Sequence, residues 1–190
     1  MTAIIGFIDN KNKKIIMGGD SLSSDNYKKF SRKDEKVFVK DNYIYGFCND
    51  YKILNLVKYH FIAPEWKYKS FKKYDNTTFI NKIFIPSLAD FLQDNDIEIE
   101  NDRMGHEELC LIGFNGSLYK IYDDMEVEEL VMDWNTCGSG GMYLLGYFEG
   151  AYIENNTIDI EKLIKNAIYT TAERIPSVGG NVDIKELSYE

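Results

Sequence analysis

Apolar runs of strand length dominate the first fifty residues of the chain. Four such runs occur, at residues 2–9, 13–20, 36–39 and 43–47. Polar turn residues separate the first pair at 10–12 and the second pair at 40–42. Apolar runs joined by short polar turns are typical of β-hairpins. The pattern therefore predicts four antiparallel strands, with the polar residues 21–35 forming a loop between the two hairpins.

The period of the pattern changes from strand to helix after Asp50. One helical face carries the apolar residues Ile53, Leu54, Leu56, Val57 and Phe61. This first helix is predicted to end before Pro64, because the residue preceding a proline disfavours helical backbone. A second helix is predicted from about Thr78 to Leu92, with Asn76 or Thr77 as its N-cap. Pro86 lies inside this second pattern, so we expect a kink or a break there.

Strand patterns return in the second half of the chain. Asn115-Gly116 joins the runs 109–114 and 117–122, and this dipeptide between apolar runs strongly indicates a hairpin. The elements predicted after this hairpin are a strand within 126–132, a helix opened by the glycine-rich residues 137–141, a helix over 160–173 and a strand over 182–187.

The order of the predicted elements is strands, two helices, strands, two helices and a strand. Antiparallel strands with helices arriving in pairs favour two packed sheets with helices outside them. We therefore predict an α+β fold built as a four-layer α/β/β/α sandwich. No internal repeat, low-complexity tract or linker interrupts residues 1–190, which we interpret as one domain.

Composition excludes several classes of function. The net charge of −9 argues against a nucleic-acid partner, since such binding depends on Lys and Arg contacts to phosphate. The basic, aromatic segment 66–75 is therefore interpreted as a surface rim or a subunit contact. No apolar run is long enough to span a bilayer, and no signal peptide is evident. Three widely spaced cysteines, Cys48, Cys110 and Cys137, predict free thiols in a cytoplasmic protein, without zinc-binding spacing.

Candidate chemistry begins at the second residue. Thr2 follows the initiator Met1, and small second residues permit removal of the methionine. An α-amino group titrates at about 7.7–8.0, so the amine of an N-terminal threonine can accept the proton of its own hydroxyl. A nearby cation would favour this ionisation, and a carboxylate would hold the cation. Lys36 and Asp20 are the candidates, and neither His60 nor His106 lies near a plausible nucleophile in sequence.

Five short motifs carry a resemblance to a known family. They are Thr2-Ala3-Ile4-Ile5-Gly6, Gly18-Gly19-Asp20, Lys36-Val37-Phe38, Tyr45-Gly46-Phe47 and Gly138-Ser139-Gly140-Gly141. Together they resemble the proteasome β-subunits and their bacterial relative HslV, which are N-terminal-nucleophile (Ntn) threonine peptidases. The likeness covers nearly the whole chain.

The resemblance implies a role for each matching residue. Thr2 would be the nucleophile and its amine the base, Lys36 the tuning cation and Asp20 the partner of Lys36. Ser139 would hydrogen-bond the amine, and the backbone N–H of Gly46 would face the oxyanion. Lys33 competes with Lys36, but Lys36 directly precedes a strand whereas Lys33 lies in a charged loop.

The sequence departs from the family pattern at one position near its C-terminal end. The family places an aspartate a few residues before a Ser-Gly-Gly motif, and Ile175 stands at about that position here.

At the level of function, the resemblance implies a threonine peptidase that cleaves unfolded polypeptides inside a ring-shaped homo-oligomer. An ATPase unfoldase would feed the ring, and no metal or organic cofactor would be required. Two alternatives stay open. In the first, the chain is a non-catalytic homologue with a structural or regulatory role. In the second, it is an Ntn amidase that acts on a small molecule.

Overall fold

The structure is a computed structural model that describes residues 2–24, 29–48, 50–66, 74–99, 107–154 and 159–190. Met1 and residues 67–73 of the basic, aromatic segment lie outside these ranges. The strands are β1 (Ile4–Asp9), β2 (Lys14–Asp20), β3 (Leu22–Ser24), β4 (Lys29–Ser31), β5 (Val37–Lys40), β6 (Tyr43–Phe47), β7 (Glu108–Phe114), β8 (Ser117–Tyr122), β9 (Val127–Glu129), β10 (Trp134–Cys137) and β11 (Val182–Ser188). The helices are α1 (Tyr51–Tyr59), α2 (Asn76–Phe79), α3 (Ile85–Asp94), α4 (Gly141–Glu154) and α5 (Ile160–Arg174). No helix in the described ranges has the length and apolar character needed to cross a membrane.

Two antiparallel sheets form the centre of the molecule. The first sheet has the strand order β10-β1-β2-β11, and the second has the order β5-β6-β7-β8-β9. A small separate ribbon pairs β3 with β4. Helices α4 and α5 pack on the outer face of the first sheet, and α1 to α3 pack on the outer face of the second. The predicted α/β/β/α sandwich is confirmed.

The alternation of side chains along β1 explains why this strand is apolar throughout. Ile5 and Phe7 face the α4 and α5 layer, whereas Ile4 and Ile8 face the second sheet. Because successive side chains point to opposite faces of a strand, both faces of β1 are buried in apolar surroundings. The N-terminal hairpin is therefore a central element of the core.

Strand β10 was not predicted, and the strand predicted over 126–132 is limited to β9. The polar side chains of Asn135 and Thr136 interrupt the apolar pattern of β10, although both residues are buried at 2% and 4% exposure. Pairing of β10 with β1 places these residues in the interior of the protein. The predicted loop 21–35 likewise contains the short strands β3 and β4, and residues 25–28 between them lie outside the described ranges.

The kink or break predicted at Pro86 takes the form of a π-helical turn before this proline, with helical backbone continuing from Asn76 to Asp94, and the predicted cap is wrong. A π-helical turn, Ile80–Phe84, lies between α2 and α3, and Pro86 occupies the first turn of α3. Proline has no N–H to donate to the preceding turn, so the regular ladder cannot pass through it. The N-cap of α2 is Asp75, whose carboxylate accepts the N–H of Thr78 at 2.7 Å.

Candidate active site

Thr2 lies at the end of the sandwich where β1 begins, β2 ends and β6 ends. Its residue exposure is 2%. The Thr2 carbonyl accepts the N–H of Gly140 at 3.1 Å, and the Thr2 nitrogen lies 3.3 Å from Ser139 Oγ. Both polar backbone groups of Thr2 are thus held by the turn that precedes α4. This turn is 137 residues away in sequence, and pairing of β1 with β10 brings it there.

Asp20, the last residue of β2, is fully buried and accepts hydrogen bonds from three backbone groups. The Ala3 N–H donates to Oδ1 at 3.0 Å, and the N–H groups of Leu22 and Gly179 donate to Oδ2 at 3.3 and 3.0 Å. Charge-assisted hydrogen bonds of this kind stabilise an ionised carboxylate in a buried position. The contact with Ala3 links the carboxylate directly to the residue that follows Thr2.

Lys36 supplies the fourth partner of this carboxylate. Its Nζ lies 2.9 Å from Asp20 Oδ1 and 2.7 Å from the Leu22 carbonyl oxygen, and the lysine is 2% exposed. Desolvation by burial lowers the pKa of Lys36 below the ordinary 10.5, while the charge and hydrogen bond of Asp20 raise it in part. Lys33, the competing candidate, is exposed.

Thr2 and Lys36 line one small cleft. The other side chains around this cleft are Phe47, Cys48, Asp50, Tyr51 and Leu54. A larger cavity of about 460 Å³ lies at the opposite end of the sandwich, by the turns next to Asn42 and Asn115. The cleft beside Thr2 therefore carries the candidate chemistry, because it alone of these two contains the threonine and the buried lysine.

Ser139 connects Thr2 to the segment after α5. Its Oγ lies 3.1 Å from Ser177 Oγ, which is in turn buried at 6% exposure. No role was predicted from the sequence for Ser177 or for Gly179, the donor to Asp20. The small residues Ser177, Gly179 and Gly180 were the signal available for both, since close packing of a segment against a site favours small side chains.

Gly138 fits its position for two reasons. Its φ of +96° lies in the left-handed region that favours glycine, and a Cβ there would overlap the carbonyl oxygen of Thr2. The Gly138 N–H donates to Glu108 Oε2 at 2.6 Å, and Lys120 pairs with Glu108 Oε1 at 2.8 Å. Glu108 thus holds the turn from the side of the second sheet.

Gly46 lies in β6, but its backbone N–H points into the second sheet. The Phe47 N–H donates to the Lys36 carbonyl at 3.0 Å, and the Cys48 N–H donates to the Leu109 carbonyl at 3.1 Å. Successive N–H groups alternate sides, so the register directs the Gly46 N–H toward Leu111 of β7. Its role as an oxyanion donor stays a prediction, because the N–H would have to leave this partner.

Ile175, at the position of the family's aspartate, is the C-cap residue of α5. Its side chain packs against the apolar cluster between the first sheet and the α4 and α5 layer. Ile175 therefore contributes packing and offers no carboxylate to Ser139 or Thr2.

The prediction of three free thiols is wrong for two of the cysteines. Cys48 and Cys137 form a disulfide across 89 residues of sequence, and Cys110 is free and buried. Burial in apolar surroundings raises the pKa of the Cys110 thiol. Spacing along the chain gives no sign of the bond, because Cys48 follows a strand of one sheet and Cys137 ends a strand of the other.

The same cysteines belong to the one cluster of metal-ligand atoms among the described residues. Cys48, Glu108 and Cys137 place ligand atoms within 4.8 Å of one another. Both sulfurs are committed to the disulfide, and the Glu108 carboxylate is committed to Gly138 and Lys120. Thiolates are the species that bind metals, so the arrangement in this structure is that of a cross-link.

Comparison with known proteins gives no match to any protein-family model and no match among curated proteins. Solved structures do match over the full length. Thiobacillus denitrificans BPH is 16% identical, with a TM-score of 0.73 over 100% of this chain and 99% of that one. BPH in complex with epoxomicin is 15% identical, with a TM-score of 0.72 and 100% of both chains covered. The crystal structure of eukaryotic HslV from Trypanosoma brucei is 16% identical, with a TM-score of 0.65 over 99% of this chain and 100% of that one.

These identities are low, so the likeness establishes architecture. Coverage is nearly complete in both directions, and the TM-scores lie between 0.65 and 0.73. The chain therefore has the same overall fold as BPH and HslV.

Proposed function

We propose that this protein is a threonine peptidase that uses Thr2 as its nucleophile once Met1 has been removed. The observation that carries the proposal is the buried ion pair of Asp20 and Lys36, which lies at the Thr2 end of the fold. A buried lysine and carboxylate cost desolvation free energy, and an apolar pair would often be equally stable there. A pair retained beside a candidate nucleophile is therefore best explained by chemistry.

The proposed reaction is an acyl transfer in two steps. The Thr2 amine takes the proton of the Thr2 hydroxyl, directly or through one water, while Oγ attacks the carbonyl carbon of the peptide bond. The amine then gives the proton to the departing nitrogen, and water hydrolyses the acyl-threonine ester. Lys36 favours the ionised hydroxyl through its charge, Asp20 fixes Lys36, and Ser139 accepts a hydrogen bond from the amine.

Substrate and assembly extend the same proposal. Structural neighbours include HslV and a BPH solved with epoxomicin. They agree with the motif resemblance, which implies a polypeptide substrate and a homo-oligomeric ring. Exposed apolar side chains on the outer helices also support a subunit contact, with Met142 at 83%, Tyr143 at 40% and Tyr169 at 52% exposure. An ATPase unfoldase is the partner expected for a closed ring. Light scattering on the purified protein tests the ring, and a monomeric mass would contradict it.

The decisive test is expression without an N-terminal tag, followed by intact mass and N-terminal sequencing. We expect loss of Met1 and hydrolysis of fluorogenic peptides. Thr2→Ala should abolish turnover and leave the assembly size unchanged, since it removes the nucleophile from a buried position without adding bulk. Full activity of Thr2→Ala would rule out this mechanism.

Lys36 and Lys33 provide a matched pair of variants. Lys36→Met keeps the length of the side chain but removes the buried cation, and we expect kcat to fall about a hundredfold or more. Lys33→Met makes the same change at an exposed position, so its kcat should stay within about twofold of the parent. Equal losses in the two variants would argue against a site role for Lys36.

Ile175 favours a second candidate, a non-catalytic homologue that keeps the fold and the subunit contacts. It places an apolar side chain where the family pattern has a carboxylate. Retention of Met1 in the purified protein, together with a ring assembly and no peptide hydrolysis, would support this candidate over the peptidase.

A further inference from the structure

The disulfide between Cys48 and Cys137 joins the two sheets at the end of the sandwich that carries Thr2. Cys48 follows β6 of the second sheet, and Cys137 is the last residue of β10 in the first. Cys48 also lines the cleft that contains Thr2 and Lys36. The bond is therefore part of the wall of the candidate site.

The turn that begins at Cys137 holds the backbone of Thr2. Ser139 Oγ lies 3.3 Å from the Thr2 nitrogen, and the Gly140 N–H donates to the Thr2 carbonyl at 3.1 Å. Gly138, which precedes them, packs so closely on the Thr2 carbonyl that a Cβ would overlap it. Any shift of this turn moves the nucleophile, and the disulfide anchors the turn to β6.

The surroundings of Cys48 also accommodate the reduced state. Its Sγ lies 3.0 Å from the Glu108 carbonyl oxygen and 3.3 Å from the Leu109 carbonyl oxygen. A Cys48 thiol would find hydrogen-bond acceptors already in place, so the surroundings of Cys48 fit its reduced form. A cross-link with acceptors waiting for one of its two thiols is suited to reversible change.

We propose that the Cys48–Cys137 bond is a redox switch that orders the Thr2 site when oxidised and loosens it when reduced. The inference rests on the proposed function and adds its regulation. The reductant is a dithiol. Its thiolate attacks Cys48 Sγ, which borders the cleft, and the buried Cys137 leaves as a thiolate that takes up a proton. The second thiol of the reductant then releases Cys48 as a thiol, and the reductant becomes a disulfide while the protein gains two electrons and two protons.

The existence of the bond is tested first, without any activity measurement. Alkylation of the unfolded protein should label only Cys110 before reduction and all three cysteines after treatment with dithiothreitol. A protease digest without reductant should contain one linked peptide pair joining Cys48 to Cys137. Three free thiols after exposure to oxidised glutathione would overturn the proposal.

The effect on the site is tested by peptide hydrolysis in the two redox states. Reduction should lower kcat/KM about tenfold or more, because displacement of a reacting group by about 1 Å can cost a hundredfold. Reoxidation should restore the rate. Cys137→Ala should show the low rate in both states, whereas Cys110→Ala, at an equally buried position outside the site, should respond to reduction as the parent does. Equal rates in both redox states of the parent would overturn the switch.

Amide hydrogen exchange separates failure of the switch from failure of the proposed peptidase activity. Exchange at residues 3–5 and 138–140 should be faster after reduction, whether or not the protein hydrolyses any peptide. Faster exchange with no hydrolysis in either state would refute the peptidase and retain the coupling between the bond and the Thr2 backbone. Identical exchange in both states would refute the coupling.

Discussion

Asp20→Asn is the change that tests the physical reasoning about the site most directly. It removes the negative charge beside Lys36 and retains the size of the side chain. The carboxylate accepts N–H groups from Ala3, Leu22 and Gly179 as well as the ammonium of Lys36. An asparagine has one acceptor oxygen and would turn an NH2 group toward these donors. Lys36 would remain buried as an unpaired cation.

The expected cost follows from this burial. Removing one partner of a buried ion pair destabilises a protein by about 3–5 kcal/mol, because the other charge is left uncompensated. With a urea dependence of about 2–3 kcal/mol per molar, the unfolding midpoint of Asp20→Asn at pH 7 should fall by about 1–2.5 M. Urea unfolding followed by circular dichroism measures this shift.

The pH dependence provides a second, independent signature. The pKa of Lys36 is already below 10.5 in the folded chain, and loss of Asp20 removes the two largest influences that raise it. Between the lowered pKa of Lys36 and 10.5, the unfolded chain binds more protons than the folded chain. The free energy of unfolding therefore rises with pH across this window. This pH window is wider in Asp20→Asn, because the pKa of Lys36 is lower there. Within it, the free energy of unfolding rises by up to about 1.4 kcal/mol per pH unit. Arg32 and Asp183, which lower and raise the pKa of Lys36 respectively, are present in both proteins.

A double variant decides whether the buried charge is the cause. Asp20→Asn with Lys36→Met carries no buried cation, so it should be at least about 1 kcal/mol more stable than Asp20→Asn alone. A cost below about 1 kcal/mol for Asp20→Asn, with an unchanged pH slope, would refute the reasoning about the pair.

Three further predictions concern the packing of the core and the cross-link between the sheets. Gly46→Ala should destabilise the fold by about 1–3 kcal/mol in urea unfolding, since its Cβ would lie 2.5 Å from Ile4 Cγ2 between the sheets; a neutral effect would mean that the sheets are less closely packed there. Phe148→Ala, at 0% exposure under the first sheet, should cost about 3–5 kcal/mol by the same assay, and a loss below about 1 kcal/mol would contradict its place in the core. Reduction of the Cys48–Cys137 bond should lower the free energy of unfolding by about 2–4 kcal/mol, and an unchanged urea midpoint in dithiothreitol would contradict a cross-link across 89 residues.

Local sequence pattern was sufficient for the main elements of the fold. The apolar runs that became β1 and β2, and the turn between them, are encoded by neighbouring residues, and their predicted and observed bounds agree within a residue or two. The same holds for α5, predicted over 160–173 and observed over Ile160–Arg174. Short-range periodicity decides these elements because each buries a face whose spacing matches its own backbone.

The local sequence pattern did not predict elements that depend on distant partners. Strand β10 contains Asn135 and Thr136, which are typical of loops in sequence but are buried by pairing with β1.

The cap of α2 was misassigned by one or two residues, because Asp75, Asn76 and Thr77 are all chemically suitable caps. Only the backbone geometry selects Asp75 among them.

The sequence by itself determined the sandwich of strands and paired helices, and it singled out Thr2, Asp20, Lys36 and Ser139 as candidates. Only the tertiary structure decided how these residues meet. It brought the Gly179 N–H to Asp20 across 159 residues, directed the Gly46 N–H into the second sheet and paired two cysteines that sequence analysis had left free. The physical reason is that propensity and periodicity act over a few neighbouring residues, whereas hydrogen bonds and disulfides between sheets depend on strand register and packing across the whole chain.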